Sequence, residues 1–240
     1  MIVLHTTKYG ESSLIVHVYS PEHGRTGLLL RGAARSRSSR NNLRLLHPLS
    51  ILDVTLVSGR RQSDLLPVKE FNQQEPLTNL RTDLRKSSIC LFLGELLYRT
   101  LRESSPDPEL YRFLTYAIRL LDSLQESSCS NFHLWFLVGF ASHLGFRPQN
   151  DRTEQRSAFN IPGARFETPP VRTDEHWFST SCSQLLMEMM QENTEKTLLR
   201  PLNSEKRNDF CRCMLRYLRF HLDLDFDIKS LDILHQVLHT

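Results

Sequence analysis

The first third of the chain alternates between apolar and polar residues with a period of two, which is typical of half-buried β-strands. In the clearest run, Leu14, Val16 and Val18 fall on one face and the residues between them on the other. Turn sequences at 21–24 and 58–59 separate neighbouring runs. Five short strands with no helical pattern among them predict a small closed or partly closed barrel. The predicted strands are 2–7, 12–19, 26–31, 49–57 and 64–71.

The hydrophobic period changes from 2 to 3.6 at Pro76, and we expect a long helix to begin at this proline. The fold class predicted is α+β: a five-stranded barrel domain, 1–75, followed by an all-α domain, 76–240. Within the second domain, 146–178 reads as irregular, with a loop or short hairpin around 162–163.

Further helices of this domain are predicted by their caps and apolar stripes. The pattern indicates a helix after Pro108, another from Phe132 to Leu144, and a stripe from Phe210 to His221. Two serines are predicted to cap helices: Ser181, in a capping box, and Ser230 before the last helix.

Positive charge is concentrated in the first third of the chain. The whole chain carries a net charge of +3, whereas 1–80 alone hold ten Lys and Arg against six Asp and Glu, a balance of +4. Residues 81–240 hold twenty against twenty-one, a balance of −1. The basic excess therefore belongs to the predicted barrel.

A basic loop, 31–44, follows the third predicted strand and is the strongest functional signal. No acidic residue lies between Glu22 and Asp53, so nothing within the loop neutralises its charge. Arginine matches phosphate oxygens with a planar fork, and Gly, Ala, Ser and Asn let the backbone approach a ligand closely. We expect the loop to bind nucleic acid, with a solvated basic loop as the alternative. Its five arginines are Arg31, Arg35, Arg37, Arg40 and Arg44.

Three residues of the early strands complete the predicted DNA-binding set: Lys8, Tyr19 and Arg25. Small barrels stack bases on aromatic rings and follow the backbone with cations. Tyr19 is equally consistent with packing at the barrel rim, and both interpretations stay open.

Catalytic and metal-binding motifs are missing from the sequence. It has no phosphate-binding GxxxxGK[ST], no GxGxxG, no GxSxG and no HExxH. Cys211 and Cys213 do not form a CxxC pair, and the acidic run Asp223, Asp225, Asp227 fits a solvated link better than a metal site. The sequence therefore predicts a non-enzymatic protein without metal or cofactor.

The five cysteines are odd in number and scattered, which favours a reducing cytoplasmic setting. No apolar run is long enough to span a membrane. The helical region carries much apolar surface, and a groove near Arg99 or Arg102 is a weaker candidate for binding an acidic-apolar tail of a partner.

Several segments together resemble the bacterial recombination mediator family RecO. Lys8 to Leu14 is similar to the family's opening strand and turn, Val18 to Arg25 to its second strand and turn, and Leu30 to Ser38 to its basic loop. The stretches Leu45 to Leu49 and Leu65 to Glu70 are similar to its later strands. Lys229 to Leu234 resembles the family's terminal helix.

The resemblance implies an N-terminal OB-fold barrel and a helical C-terminal domain. It implies binding of single- and double-stranded DNA, annealing of complementary strands, and help in loading the recombinase onto strands coated by single-strand-binding protein. The partners implied are RecR and the C-terminal tail of the single-strand-binding protein, and the location is the cytoplasm, at the nucleoid. DNA contact carries over to Arg35 and Arg37, where the motif matches.

This chain departs from the family in two places. Many members carry a four-cysteine zinc site, whereas 159–177 here contain no cysteine, and we expect packing by Phe159, Ile161 and Phe166 in its place. The family usually begins a few residues earlier, so the first strand is expected to be incomplete.

Three other functions stay open on the residues alone. An RNA-binding module would fit the same barrel, a protein-interaction scaffold would use the basic loop on an acidic partner, and a nuclease would need a carboxylate cluster that the sequence does not show.

Overall fold

The computed structural model describes residues 1–31, 43–57, 65–101, 105–172 and 174–239. The chain divides into two compact units. The first comprises Met1–Ser123 and Ile228–Leu234, and the second comprises Leu124–Asp227 and His235–Thr240.

Five strands form one sheet in the first unit, in the order β1-β2-β3-β5-β4. Neighbouring strands are antiparallel except β3 and β5, which are parallel. The start of β1 returns to the chain preceding β4, because the Val3 N–H donates to the Ser50 carbonyl at 2.9 Å. This is the strand order of a partly closed, OB-like barrel. It confirms the five-stranded barrel that the alternation predicted and the OB fold that the family resemblance implied. The strands are β1 Ile2–Tyr9, β2 Ser13–Ser20, β3 Gly24–Leu30, β4 Leu52–Leu56 and β5 Leu65–Gln73.

The barrel core follows the predicted alternation. Val16 and Val18 are fully buried in the apolar cluster, with Leu14 packed against them. On β4, Leu52 points into the same cluster whereas Asp53 is exposed. Burial of one face of each strand therefore fixes the register, since a slip by one residue would turn these side chains to the opposite face.

Three helices follow the sheet in the first unit: α1 Asn79–Thr82, α2 Leu84–Thr100 and α3 Pro108–Ser123. The expectation of one long helix beginning at Pro76 was wrong. Asp83 interrupts it with an extended backbone, φ −90° and ψ 124°, and its side chain accepts a hydrogen bond from the Lys86 N–H at 3.1 Å. An N-cap inside the apolar stripe thus starts a new helix.

The predicted domain boundary after residue 75 coincides with the change from strands to helices. Helices α1 to α3 nevertheless belong to the same compact unit as the sheet, and the second unit begins at Leu124. The boundary between functional domains stays a prediction.

Glu95 of α2 caps the N-terminus of the last helix, α8, which comprises Ser230–Leu238. Its carboxylate accepts hydrogen bonds from the N–H groups of Lys229 and Ser230, at 3.1 and 2.9 Å, and from the Ser230 hydroxyl at 2.6 Å. Burial acts to raise the pKa of Glu95, but these hydrogen bonds outweigh it and lower the pKa. The predicted capping by Ser230 is corrected, because Ser230 donates to Glu95 and the carboxylate accepts from the helix N–H groups.

Gly94 allows α2 to approach the barrel closely. A Cβ at this position would lie 2.8 Å from the Pro48 Cβ and 3.0 Å from the Leu4 carbonyl oxygen. We expect Gly94→Ala to lower the free energy of unfolding by about 2 kcal/mol, since overpacking outweighs alanine's better helix propensity. Urea denaturation measures this difference, with Arg99→Ala at an exposed position of the same helix as the control. An unchanged unfolding midpoint would show that the helix can move away without cost.

The described residues of the second unit form four complete α-helices and a hairpin. The predicted hairpin is confirmed by β6 Ala158–Asn160 and β7 Arg165–Glu167, which means that this region is not entirely helical. Helix α5 is capped by Ser179, not by Ser181, because the Ser179 Oγ accepts from the Cys182 N–H at 3.3 Å. The helices are α4 Phe132–His143, α5 Thr180–Gln191, α6 Thr194–Leu199 and α7 Ser204–Leu222.

Candidate nucleic-acid interface

The two described ends of the basic loop are exposed arginines. Arg31 directly follows β3, and Arg44 lies eight residues before the start of β4. Arg35, Arg37 and Arg40 lie outside the described residues, so their predicted DNA contact stays a prediction.

Lys8 lies at the same end of the sheet as Arg31. Lys8 pairs with Leu14 across β1 and β2, and Leu14 pairs with Leu30 across β2 and β3. Two strand spacings separate Lys8 from Leu30, which is roughly 10 Å. Arg31 is the next residue after Leu30, and both cations are exposed. The predicted set therefore places two cations on one rim of the barrel.

Ion pairs with described residues do not neutralise these cations. Arg31, Arg44 and Lys8 make no ion pair with any other residue that the structure describes. No carboxylate of the described residues competes with a polyanion, such as a nucleic acid, for these three charges.

Tyr19 packs in the core, and the prediction that its ring contacts DNA is corrected. The residue is 2% exposed, and its ring stacks on that of Tyr111 of α3, with centroids 6.5 Å apart. Burial raises the pKa of Tyr19 to about 12. Of the two interpretations left open by the sequence, packing is the one the structure shows, because a base cannot reach a ring enclosed in this way.

Arg25 is half-buried and already has partners. Its guanidinium lies over the Tyr98 ring, 4.5 Å from the centroid, and Nη1 donates to the Leu101 carbonyl at 2.8 Å. A cation held against an aromatic face in this way anchors β3 to the end of α2. Its contact with DNA stays a prediction, for which only the remaining guanidinium donors are available.

An aromatic cluster beside Arg25 was not identified from the sequence. The rings of His5 and His17 lie 4.7 and 4.9 Å from that of Tyr98, centroid to centroid. Burial lowers the pKa of both histidines. The register that pairs His5 with His17 places them side by side. Neither the pairing, which follows a register shift between Val3 and His5, nor the contact with Tyr98 is readable from the strand alternation.

The predicted partner groove is only partly described. Arg99 is exposed, with Nη2 3.9 Å from Glu95 Oε1, and Arg102 lies outside the described residues. At this separation the pair is weak, so Arg99 is able to contact another anion.

The hairpin region does not fit a four-cysteine zinc site. Phe159 is fully buried and packs against Phe166, Phe178 and Tyr217 at ring distances of 5.2, 5.0 and 5.7 Å. Ile161 and Phe166 are also buried here, so the apolar packing predicted for these three residues is present. Across the described ranges, no three His, Cys, Asp or Glu side chains are placed to hold a metal ion.

The acidic run before the last helix has a structural role. Asp223 adopts the left-handed conformation, with φ 49° and ψ 46°, and closes α7 by donating its N–H to the Arg219 and Phe220 carbonyls. Such a residue ends a helix by satisfying carbonyls of its last turn. Among the helices described, none is both long and apolar enough to cross a membrane.

Two family profiles from known proteins match nearly the whole chain. The family profile "Recombination protein O N terminal" matches residues 1–74, and "Recombination protein O C terminal" matches residues 81–231.

Curated relatives cover both regions together. The DNA repair protein RecO of Phocaeicola vulgatus is 37% identical over 241 residues, which cover 98% of this chain and 96% of the relative. The RecO proteins of Bacteroides fragilis and Porphyromonas gingivalis are 32% and 30% identical, over 98% and 97% of this chain and 96% and 95% of their own lengths. The chain has an OB-type barrel and an arginine-rich loop followed by helices, and family profiles and relatives match nearly all of it. These matches show that this chain belongs to the RecO family of DNA repair proteins.

Proposed function

We propose that this protein binds single- and double-stranded DNA through the basic loop 31–44 and anneals complementary strands without catalysing a reaction. The observation that carries the proposal is that Lys8 and Arg31, exposed at one rim of the barrel, and Arg44, exposed at the other described end of the basic loop, have no ion-pair partner among described residues. Three further arginines lie between Arg31 and Arg44 in the sequence. Membership in a DNA repair family makes the phosphate backbone the polyanion to expect.

Annealing follows from charge neutralisation. Two DNA strands repel each other through their phosphates, and each guanidinium that binds a phosphate releases condensed counterions and reduces that repulsion. Contacts to the backbone leave the base edges free to pair. No bond is made or broken in this process, so the protein needs no nucleophile, base or metal.

The sequence contains a second basic segment, which we include in the proposal. Arg60 and Arg61 lie in the connection between β4 and β5, outside the described residues. OB folds bind oligonucleotides through the β1–β2 and β4–β5 loops together with the face of strands 2 and 3. In our proposal these two arginines extend the path of a strand beyond the basic loop.

The partners we propose are RecR and the C-terminal tail of the single-strand-binding protein. An acidic-apolar tail needs a cation beside an apolar groove, and exposed Arg99 is a candidate for that cation. Contact with the tail would bring the protein to coated strands in the cytoplasm, at the nucleoid, and would help the recombinase replace the coat.

The test is strand annealing with and without the cognate single-strand-binding protein. Complementary fluorescent strands should anneal several-fold faster with the protein than alone, and the acceleration should persist when both strands are coated. A coating protein without its acidic tail should remove the acceleration on coated strands only. If bare strands anneal no faster with this protein at low salt, the proposal is wrong, and stronger binding to RNA of the same sequence would favour an RNA-binding module instead.

A further inference from the structure

The aromatic cluster of His5, His17 and Tyr98 lies on the face of the sheet that points away from the barrel core. Val16 and Val18 are buried in the core, so the His17 side chain between them points to the opposite face, and the register pairs His17 with His5. His5 is exposed, whereas His17 and Tyr98 are half-buried. The three rings therefore form a cluster at the surface and are not part of the core.

The rings of the cluster are held close together. The Tyr98 centroid lies 4.7 Å from that of His5 and 4.9 Å from that of His17, and the two imidazoles are 6.4 Å apart with 21° between their planes. The Arg25 guanidinium lies 4.5 Å from the Tyr98 centroid, and its Nη1 is fixed by the Leu101 carbonyl. Rings that are already ordered lose little conformational entropy when a planar ligand stacks on them.

Both imidazoles are neutral at pH 7.5. Burial lowers the pKa of each histidine, and nearby positive charges lower it further, from Arg99 at His5 and from Arg25 at His17. The negative charge of Glu95 opposes this effect at His5 without reversing it. Neutral rings offer a stacking surface but no charge, so a ligand that stacks on them releases no counterions.

The charged groups around the rings suit a ligand that carries phosphates. Two of them, Arg25 and Arg99, are positive, and one, Glu95, is negative. The Glu95 carboxylate is already committed to hydrogen bonds from Lys229 and Ser230. The local balance of these three charges is therefore +1, which attracts an anionic chain.

The same face of the sheet leads from the cluster to the basic loop. Next to His17 on this face lies half-buried Ile15, which pairs with half-buried Leu29 of β3. His17 pairs with Gly27, and Arg31 follows Gly27 by four residues, which is roughly 13 Å along the strand direction. One nucleic-acid strand whose phosphates bind at Arg31 is therefore able to reach the cluster.

We propose that His5, His17 and Tyr98 form a binding site for one unpaired nucleobase of single-stranded DNA, which stacks on their rings. This inference rests on the proposed function, since it adds a base-binding site to the phosphate-binding loop. Unpaired bases stack on histidine and tyrosine rings irrespective of sequence, because every base has a π face. Stacking covers that face and leaves the hydrogen-bonding edge of the base uncovered, so it is compatible with annealing.

The experiment compares two strands that carry the same number of phosphates. One is oligothymidylate, and the other has the same length but abasic sugars in place of every nucleotide. Fluorescence anisotropy with the whole protein should show about tenfold tighter binding of oligothymidylate, as expected for a stacked base. The slope of log K against log salt should be equal for the two strands, because the number of neutralised phosphates is the same.

The double variant His5→Ala/His17→Ala should lose this preference. We expect it to bind the two strands within about twofold of each other, with the wild-type affinity for the abasic strand. The matched control is His143→Ala/His176→Ala, which removes two histidines from the second unit and should keep the tenfold preference. Urea denaturation checks that both variants are folded.

A second measurement uses only the wild-type protein. A strand that contains 5-iodouracil is cross-linked by irradiation, and the protein is digested with trypsin. Cleavage after Lys8 releases Met1–Lys8, in which His5 is the only residue with a ring, and cleavage after Lys86 and Arg99 releases Ser87–Arg99, which contains Tyr98. We expect these two peptides to carry cross-linked nucleotide.

Three results would overturn the proposal. They are equal wild-type affinity for the two strands, a base preference that survives in the folded His5→Ala/His17→Ala variant, and cross-links that miss both peptides. Equal binding of the two strands would leave the phosphate-binding loop in place. If neither strand binds at low salt, the proposed function is wrong as well.

Discussion

Replacing Arg35, Arg37 and Arg40 with alanine should weaken binding to single-stranded DNA about 100-fold at 0.1 M salt. Each arginine bound to a phosphate of a single strand contributes about 0.7 to the slope of log K against log salt. Five such contacts give a slope of about −3.5, and the triple variant should show about −1.4. Fluorescence anisotropy at several salt concentrations measures both the affinity and the slope.

The control removes the same charge from other places. Arg152, Arg172 and Arg212 are exposed residues of the second unit, and the triple alanine variant at these positions also loses three positive charges. Its slope should stay near the wild-type value. Equal losses in the two variants would mean that net charge, and not the loop, governs binding, and an unchanged slope in the loop variant would remove the loop from the DNA site.

Replacing His133 with leucine should make the protein more resistant to acid. His133 is fully buried on α4, and burial lowers its pKa to about 3, with further lowering from the positive charges of Arg207 and His235. In the unfolded chain its pKa is about 6.5. Since the folded pKa is depressed, the unfolded chain binds one more proton between these two values. The contribution of neutral His133 to the free energy of unfolding is therefore fully present above pH 6.5 and is lost as the pH falls toward 3.

The size of this effect follows from the linkage. One proton costs about 1.4 kcal/mol per pH unit, so His133 should remove roughly 2.5 kcal/mol of stability between pH 8 and pH 4.5. Denaturant unfolding at a series of pH values should give a curve for His133→Leu that is flatter than the wild type by this amount. His143→Leu, at an exposed position of the same helix, is the control for the loss of a histidine from this helix. Parallel curves for wild type and His133→Leu would show that His133 does not titrate in this way.

The barrel was predictable because the apolar face of a strand, as read from the sequence, is the face that the structure buries. Leu14, Val16 and Val18 form one face of β2 in the sequence and face the apolar cluster in the structure. The start of the first long helix was not predictable, because the apolar period continues through Asp83. Whether a capping residue interrupts a helix depends on its backbone conformation, which the hydrophobic pattern does not record.

The candidate site was predictable only in part, because helices cover part of the strand face that points away from the barrel core. Alternation gives each strand two faces but does not say which of them a helix will cover. Tyr19 is covered by Tyr111 of α3, and Arg25 by Tyr98 of α2. A pattern typical of nucleic-acid binding therefore included residues that pack against helices. Charge density gave a better guide, since Arg31 and Lys8 are exposed at one rim.

The hydrogen bonds from Lys229 and Ser230 to Glu95 span about 135 residues of sequence. The first compact unit is therefore discontinuous, since Ile228–Leu234 belong to it although they lie about a hundred residues after Ser123. During translation, Glu95 leaves the ribosome long before the helix that it caps has been made. A fragment ending at Ser123 would contain all five described strands of the barrel and still lack part of its own unit. The barrel with its helices therefore reaches its final form only after the chain has been synthesised as far as Leu234.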